Sequence, residues 1–409
     1  MDKKNPFVYS RVLRPEDPAC PRPELEKRIL RTFTDRERLA LVGDRRLGKS
    51  SLVRRTLAAH RKPCVVIDLL GLKSVDGLCA VMASALDSYV RERSLVARKL
   101  TPWLREIGLD LREIQISLAG GPLRLELASA HSATALRHLL ERVEQIGKRE
   151  PLAVFFDEFQ ETSDRLSAAD ARHVLGVLRS MIQHQSDVTY YFAGSAKESF
   201  TALFTREGAP FFEGAQLIEV TPIPRAEFGD FLAQQFEASG RPAARDAIQA
   251  ILDLGGSRAA DVQRLAYETW YAAEHLPVER PAVNRGRLKS IEDLEPEGLV
   301  LLRGATEHQQ RALFTAAFFQ DSAEPQSTVA RIARFRSPGS YRKALQPYLD
   351  GDTPVLEDLG VGRVRFRNHY LRLWCLLQHS RAINLLPVLR DPAYYRELLP
   401  SEVRLLLPP

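Results

Sequence analysis

Residues 39–57 read LALVGDRRLGKSSLVRRTL and combine a short apolar run, a glycine-containing loop and a second apolar pattern. The first four residues are mostly apolar and predict a short buried strand, while the apolar positions after the loop have helical spacing. Between the two lies the complete phosphate-binding pattern G-x-x-x-x-G-K-S, in the strand-to-helix context that supports such a match. The alternative is a glycine-containing turn with a chance Lys-Ser pair, and both flanks argue against it.

Each residue type in this loop has a chemical reason. Gly43 and Gly48 let the backbone curl so that its N–H groups face phosphate oxygens, and the following helix adds its positive end. Lys49 would reach the β- and γ-phosphates of ATP, and the Ser50 hydroxyl would ligate Mg²⁺. The predicted nucleotide-binding residues of the loop are Gly43, Asp44, Arg45, Arg46, Leu47, Gly48, Lys49, Ser50 and Ser51.

The second motif is PLAVFFDEFQET at residues 151–162. Its apolar residues predict a buried strand that delivers Asp157 and Glu158 at its carboxyl end, where open α/β sheets bind ligands. Asp157 is predicted to hold Mg²⁺ through water, and Glu158 to orient and activate the attacking water. An apolar strand ending in Asp-Glu is a weak signal alone and a strong one downstream of a full phosphate loop. Glu158 and Lys49 are therefore predicted catalytic residues.

Further strand–helix units complete a predicted α/β fold. Apolar runs at 63–70, 188–194 and 217–220 predict more strands, and repeated units of this kind give a parallel sheet with helices on both faces. The run at 188–194 ends next to Ser195, which either senses the γ-phosphate or belongs to a simple turn. An alternating stretch at 111–127 predicts a hairpin insertion without an assigned function.

A proline-rich turn, CPRPEL at residues 20–25, precedes the first strand. It either packs over an adenine base, with Arg22 among the nucleotide contacts, or starts a helix that merely covers the sheet.

The second half of the chain predicts a lid and a further domain. Residues 223–275 contain three helical patterns, which predict a helical lid on a nucleotide-binding core at 1–222. Residues 276–298 are rich in Pro, Arg and acids and predict a linker. Residues 299–380 predict three helices and two short strands, the pattern of a winged helix, and 381–409 a helical cap.

The predicted wing is basic. Residues 331–372 contain nine Lys or Arg and four acidic residues, and the whole chain has a formal charge of +6. On a strand, the alternation at 363–367 places three guanidinium groups on one face. Such a face fits non-specific contacts to DNA phosphates. The alternative is a solvated strand in a protein-docking module. The predicted DNA contacts are Arg342, Lys343, Arg363, Arg365 and Arg367.

Composition excludes several classes of protein. Of the 409 residues, 44% are hydrophobic and 27% charged, an ordinary globular balance. No apolar run is long enough to span a bilayer, and no signal peptide is visible, so we expect a cytoplasmic protein without a membrane partner. The four cysteines are far apart and without a C-x-x-C pair, which favours reduced thiols over disulfides or a zinc site.

With both nucleotide motifs and the lid in place, the chain resembles the archaeal-type ATPases, a branch of the signal-transducing (STAND) P-loop ATPases related to AAA+ proteins. The resemblance runs from residue 5 to residue 375 and rests on NPF, PRPEL, GDRRLGKSSL, VVIDLLG, FFDEFQE and AGS. It implies an AAA+-like P-loop NTPase fold with a helical lid and a winged helix. It also implies nucleotide binding by the loop, a metal at Asp157 and hydrolysis through Glu158.

The chain departs from that family in two places. Gly256-Ser257-Arg258 stands where the family often has Gly-x-Pro, and Glu213 where it often has Arg. The resemblance then implies Arg258 as a nucleotide sensor in the lid. It implies Arg206 as a catalytic finger between subunits of a nucleotide-dependent oligomer.

Two functions stay open at this level. The first is an ATP-hydrolysing switch whose winged helix touches DNA. The second is a regulatory scaffold of a defence or toxin-control module, whose winged helix docks a protein effector with slow or absent turnover. The salt dependence of DNA binding distinguishes the two functions, because contacts to phosphates weaken steeply as the salt concentration rises.

Overall fold

The computed structural model describes residues 4–96, 129–195, 198–256, 258–350, 354–360 and 362–399. The chain divides into two compact units. The sheet unit comprises Val12–Asp17 and Pro21–Thr221, and the helical unit comprises Met1–Arg11, Pro18–Cys20 and Pro222–Pro409.

The sheet unit is built on five strands in the order β2-β3-β4-β1-β5. All neighbouring strands are parallel. This confirms the predicted parallel α/β sheet and brings the carboxyl ends of β1, β3 and β4 together at one edge. The strands are β1 (Arg38–Val42), β2 (Cys64–Asp68), β3 (Leu152–Asp157), β4 (Val188–Gly194) and β5 (Gln216–Glu219).

Helices cover both faces of this sheet, because alternate strand residues point to opposite faces. Leu39 and Leu41 pack with α1 and α2 on one face, whereas Ala40 belongs to the core on the other face with α3, α4 and α6. The predicted hairpin at 111–127 lies outside the described residues. The helices are α1 (Pro23–Asp35), α2 (Lys49–Ala59), α3 (Val75–Val96), α4 (Ser129–Gly147), α5 (Glu161–Asp164), α6 (Ala168–Ile182) and α7 (Glu198–Thr205).

The helical unit contains the predicted lid helices and, after them, the predicted three helices and two-stranded hairpin. Both segments contribute to one hydrophobic core. The predicted limits between lid and winged helix stay a prediction. The elements are α8 (Arg225–Ala238), α9 (Arg245–Leu254), α10 (Ala259–Ala272), α11 (Arg280–Glu292), α12 (Glu295–Arg303), α13 (Glu307–Phe319), α14 (Gln326–Ile332), α15 (Pro338–Asp350), β6 (Leu356–Gly360), β7 (Arg363–Phe366), α16 (His369–Leu377), α17 (His379–Leu385), a 3₁₀ turn (Pro387–Arg390) and α18 (Pro392–Leu398).

The N-terminal segment packs in the helical unit, although the sequence assigns it to a nucleotide-binding core at 1–222. Phe7 is only 1% exposed, and its ring centroid lies 4.8 Å from that of Phe236. The Asn5 side chain donates a hydrogen bond to the Tyr267 carbonyl at 3.0 Å. The aromatic side chain finds its apolar surroundings among α8 and α10.

Two helices, α11 and α12, occupy the region that the sequence predicts as a linker. Pro281 and Pro296 stand in the first turns of these helices, where a missing N–H costs nothing, so the proline-rich composition is compatible with helix here. Val283 and Ile291 of α11 are buried in the core. Gly286 lies so close to α10 that an added Cβ would be 2.6 Å from the Thr269 nitrogen.

None of the described helices combines the length and apolar character that crossing a lipid bilayer requires.

Candidate nucleotide-binding site

The loop between β1 and α2 needs both of its glycines. A Cβ at Gly43 would lie 2.5 Å from the carbonyl oxygen of Val220, which follows β5. Gly48, the residue before α2, has φ of 90°, a left-handed conformation that L side chains rarely adopt. Arg46 has a positive φ as well, at 68°. The loop therefore curls back to the start of α2, with Leu47 buried beneath it.

Lys49 lies inside this curl. Its ammonium donates hydrogen bonds to the carbonyl oxygens of Gly43 at 2.7 Å and Asp44 at 3.0 Å. Burial lowers the pKa of Lys49, and the carboxylates of Glu158 and Asp157 act in the opposite direction. The loop and the ends of the strands thus surround one buried amine with hydrogen-bond acceptors and negative charge.

Asp157 connects the two sequence motifs. Burial raises the pKa of its carboxyl group to about 6, opposed by a hydrogen bond from the Ser50 hydroxyl. Its Oδ1 also accepts a bond from the Glu158 amide at 3.1 Å. Asp68, in register with Asp157 on the neighbouring strand, raises that pKa further. The end of β3 is therefore rich in oxygen ligands and close to the phosphate loop.

These oxygens fit a Mg²⁺ ion, which prefers hard oxygen ligands and keeps several non-protein ones. Ser50 and Asp157 supply a hydroxyl and a carboxylate that lie close together. In the described part of the chain, no group of three or more His, Cys, Asp or Glu side chains could hold a metal alone. An ion held here would take its remaining ligands from phosphate and water.

Glu158 follows in a left-handed backbone conformation, with φ of 52°. Its Oε2 accepts a hydrogen bond from the Gln160 side chain at 2.5 Å. The guanidinium of Arg45 lies 3.7 Å from the same oxygen and 3.9 Å from Glu161. The predicted catalytic carboxylate therefore stands between the phosphate loop and the turn after β3.

Two residues predicted as nucleotide contacts brace the loop backbone. Arg22 donates to the carbonyl oxygens of Thr221 at 2.9 Å and Leu47 at 3.1 Å. The Ser51 hydroxyl accepts a bond from the Leu13 amide at 3.1 Å. Both side chains hold neighbouring segments against the loop, and their contact with nucleotide stays a prediction.

Ser195 lies at the end of β4, between the ends of β1 and β3. Its side chain is buried, and its hydroxyl has no hydrogen-bond partner among the described residues. A buried hydroxyl without a partner is costly. This position next to the two motifs is compatible with either of its predicted roles.

The family resemblance also implies roles for Arg206 and Arg258. Arg206 is exposed just after α7, and its role between subunits stays a prediction. Arg258 is only 7% exposed and belongs to the helical unit. It contacts Glu357 at 2.6 Å and donates to the Arg367 carbonyl at 2.7 Å. The guanidinium implied as a nucleotide sensor is thus used inside the helical unit, where it fastens α10 to the β6–β7 hairpin.

The basic face of the hairpin is only partly as predicted. Val364 and Phe366 are buried and Arg363 is exposed, which confirms the alternation. However, Arg365 lies 2.5 Å from Glu357. Arg367, just beyond β7, donates to the Leu356 carbonyl at 2.9 Å. Two of the three guanidinium groups therefore already have partners within the hairpin.

Helix α15 also carries one paired and one exposed basic residue. Arg342 forms an ion pair with Asp358, whereas its neighbour Lys343 is exposed. These ion pairs therefore reduce the positive charge that this surface can offer to a partner.

Sequence reasoning gave no role to Asp68 or Gln160. Gln160 lies inside the FFDEFQE stretch, but an uncharged glutamine is not a typical catalytic or metal-binding residue. Asp68 ends the second predicted strand, and only the strand order shows that it stands next to Asp157.

No family model matches the chain, and no curated protein matches it. Among solved structures, the Walker-type ATPase PABY2304 of Pyrococcus abyssi is similar with a TM-score of 0.56 and 16% identity, covering 90% of this chain and 99% of the other. The Orc1 protein of Aeropyrum pernix, in complex with DNA, is similar with a TM-score of 0.53 and 13% identity, covering 94% and 97%. At these identities the likeness concerns the fold. The chain shares the parallel α/β fold of these two solved structures.

Proposed function

We propose that this chain binds ATP with Mg²⁺ and hydrolyses the bond between its β- and γ-phosphates, releasing ADP and phosphate. The observation that carries the proposal is the buried ammonium of Lys49, which donates to the Gly43 and Asp44 carbonyl oxygens of the loop and lies close to the carboxylates of Glu158 and Asp157. A phosphate loop, a lysine and a strand-end carboxylate in contact form the arrangement that phosphoryl transfer requires.

Each side chain has a distinct task in this proposal. Lys49 would exchange its bonds to the Gly43 and Asp44 carbonyls for phosphate oxygens. Ser50 and Asp157 would hold Mg²⁺, whose charge stabilises the negative charge of the phosphates. Glu158 would accept the proton of the attacking water, because its carboxylate is close to the loop and still partly exposed.

The variant Glu158→Gln tests hydrolysis separately from binding. The amide keeps the shape of the side chain and removes the base, so turnover should fall ~100-fold or more. Affinity for ATP should stay within about twofold, since the phosphate contacts remain. Turnover at the wild-type rate in this variant would show that Glu158 is not the base.

We propose DNA as the partner of the helical unit, bound through its phosphates. The support comes from the exposed Arg363 and Lys343 and from the similarity in fold to an Orc1 protein solved with DNA. In this proposal the chain is a switch, and DNA affinity depends on whether ATP or ADP is bound. Filter binding of a random duplex at two salt concentrations, with each nucleotide, measures both properties.

A protein effector is the second candidate partner. The pairing of Arg365 with Glu357 and of Arg342 with Asp358 favours it, because these contacts reduce the positive charge available to phosphates. DNA retention that is weak and insensitive to salt would support this candidate over DNA.

The role of Arg206 belongs to the same proposal. An exposed arginine just after α7 is accessible to the nucleotide of a neighbouring copy in an ATP-dependent oligomer. Sedimentation with and without ATP, for the wild type and Arg206→Ala, tests assembly, and turnover in the same samples tests catalysis.

A further inference from the structure

Gln160 is fully buried beside the proposed catalytic carboxylate, at 0% exposure. Its side-chain nitrogen donates to Glu158 Oε2 at 2.5 Å. Because a carboxylate only accepts hydrogen bonds, the amide must present its nitrogen to Glu158 and its oxygen away from it. That oxygen has no hydrogen-bond partner among the described residues. The bond to Glu158 thus leaves the amide oxygen of Gln160 buried without a hydrogen bond.

The turn carrying these two residues is fixed by its backbone. The amide of Phe159 donates to the carbonyl of Ala193 at 2.9 Å, which joins the end of β3 to the end of β4. Glu158 has a φ of 52°, a strained backbone conformation that L residues rarely adopt. Strain of this kind persists where the surroundings hold it. Once the backbone is fixed, the torsions of the Glu158 side chain alone decide where its carboxylate points.

The Gln160 side chain has little room to move. A Cβ at Gly194, the last residue of β4, would lie 2.6 Å from Gln160 Oε1 and 2.2 Å from the Phe200 ring. The glutamine side chain is therefore packed against Gly194. Arg45, the other donor facing Glu158, is 3.7 Å away, beyond the length of a hydrogen bond. Of the two, Gln160 is the group that orients the carboxylate.

We infer that Gln160 is a positioning residue for ATP hydrolysis, which holds Glu158 in the orientation that activates water. This inference rests on the proposed function, because Glu158 must be the base. A base acts only when it is within reach of the proton, and a long side chain without an orienting partner spends most of its time elsewhere.

The variant Gln160→Met tests the inference. Methionine has a similar volume and no donor, and it also removes the buried oxygen that lacks a partner, so the fold should tolerate it. We expect kcat to fall about tenfold or more, with KM and the dissociation constant for ATP within about twofold. The shorter Gln160→Asn keeps the amide without its reach and should behave in the same way.

A double-mutant cycle with Glu158→Gln shows whether Gln160 acts through Glu158. In that background Gln160→Met should cause no further loss of kcat, because nothing remains to be oriented. The matched control is Gln185→Met, a buried glutamine in the same unit that donates to the Leu140 carbonyl. That change should lower the unfolding temperature and leave kcat unaltered.

Three results would overturn the inference. They are an unchanged kcat in Gln160→Met, the same fractional loss in the Glu158→Gln background, and a rise in KM that accounts for the whole defect. A wild-type chain that binds ATP without turning it over would also overturn it and leave nucleotide binding standing. A wild-type chain that does not bind ATP would instead remove the proposed function itself.

Discussion

The Ser50 hydroxyl in the first turn of α2 lies beside the Asp157 carboxyl group at the end of β3, where it lowers the pKa that burial raises. Asp157 is buried and Ser50 is half-buried, so the hydroxyl offsets part of the cost of burying the carboxyl group. The two predicted metal ligands are therefore close together in this structure. Ser50 and Asp157 would hold a magnesium ion, whose charge would stabilise the phosphates.

The close approach of Val220 to the phosphate loop leads to a prediction about Gly43. In Gly43→Ala the new methyl group would lie 2.5 Å from the Val220 carbonyl oxygen, so the loop or the strand end must move. We expect a lower unfolding temperature and an ATP affinity reduced about tenfold or more, measured by calorimetry.

Gly176→Ala is the matched control for that change. Gly176 lies within α6, and a Cβ there would meet nothing within 4 Å. Alanine in an open helix interior should stabilise the protein by about 0.5–1 kcal/mol and leave ATP affinity unaltered. Equal effects of the two substitutions would contradict the explanation based on Val220.

The lowered pKa of His369 leads to a prediction about the stability of the helical unit at acidic pH. Burial lowers the pKa of His369 to about 3, and Arg287, Arg372 and Arg258 lower it further by charge repulsion. An unfolded histidine has a pKa near ~6.5, so below that pH the unfolded chain takes up the proton first. The stabilisation is complete above about pH 6.5 and is lost towards pH 3, by up to about 1.4 kcal/mol per pH unit.

His369→Phe removes the titrating group and keeps a ring of similar size. The free energy of unfolding in urea, measured at about pH 7.5 and about pH 5, should therefore fall less in the variant than in the wild type. Comparing the two proteins cancels the other titrating groups. If both proteins lose the same free energy, His369 is not responsible for the acid sensitivity.

The hairpin arginines are predicted to divide into two classes. Arg363→Ala with Lys343→Ala should lower the slope of log affinity for DNA against log salt by ~0.9 for each lost phosphate contact. Stability should hardly change, because both side chains are exposed.

Arg365→Ala should do the reverse. It removes a partner of the buried Glu357 and should cost about 1–3 kcal/mol of unfolding free energy in denaturant titrations. Its effect on the salt slope should be small. An unchanged slope in the exposed double variant would reject DNA binding through this surface and favour a protein effector.

The phosphate loop and the end of β3 could be predicted from sequence because both depend on local signals. In the phosphate loop, the spacing of the glycines and the Lys-Ser pair after them lie within one short stretch. The apolar run before Asp157 is equally local. The α/β sheet followed from the same runs, since strands buried on both faces read as continuous apolar segments.

Other features depend on contacts that a linear sequence does not display. Pro281 and Pro296 suggested a linker, yet each occupies a helical first turn whose partner residues are distant in the chain. Arg258 was assigned to nucleotide by its position in the lid, whereas its partner Glu357 lies in the hairpin. The pairing of Arg365 could not be predicted, because the register of β6 and β7 decides it.

Calorimetric titration of ATP with Mg²⁺ into the wild type and Lys49→Ala tests whether the phosphate loop binds the nucleotide. Lys49 is buried with its ammonium inside the loop, so its removal should abolish measurable ATP binding. Lys148→Ala, at an exposed lysine paired with Glu144, is the control and should bind as the wild type does. Wild-type affinity in Lys49→Ala would contradict the assignment of this loop as the nucleotide site.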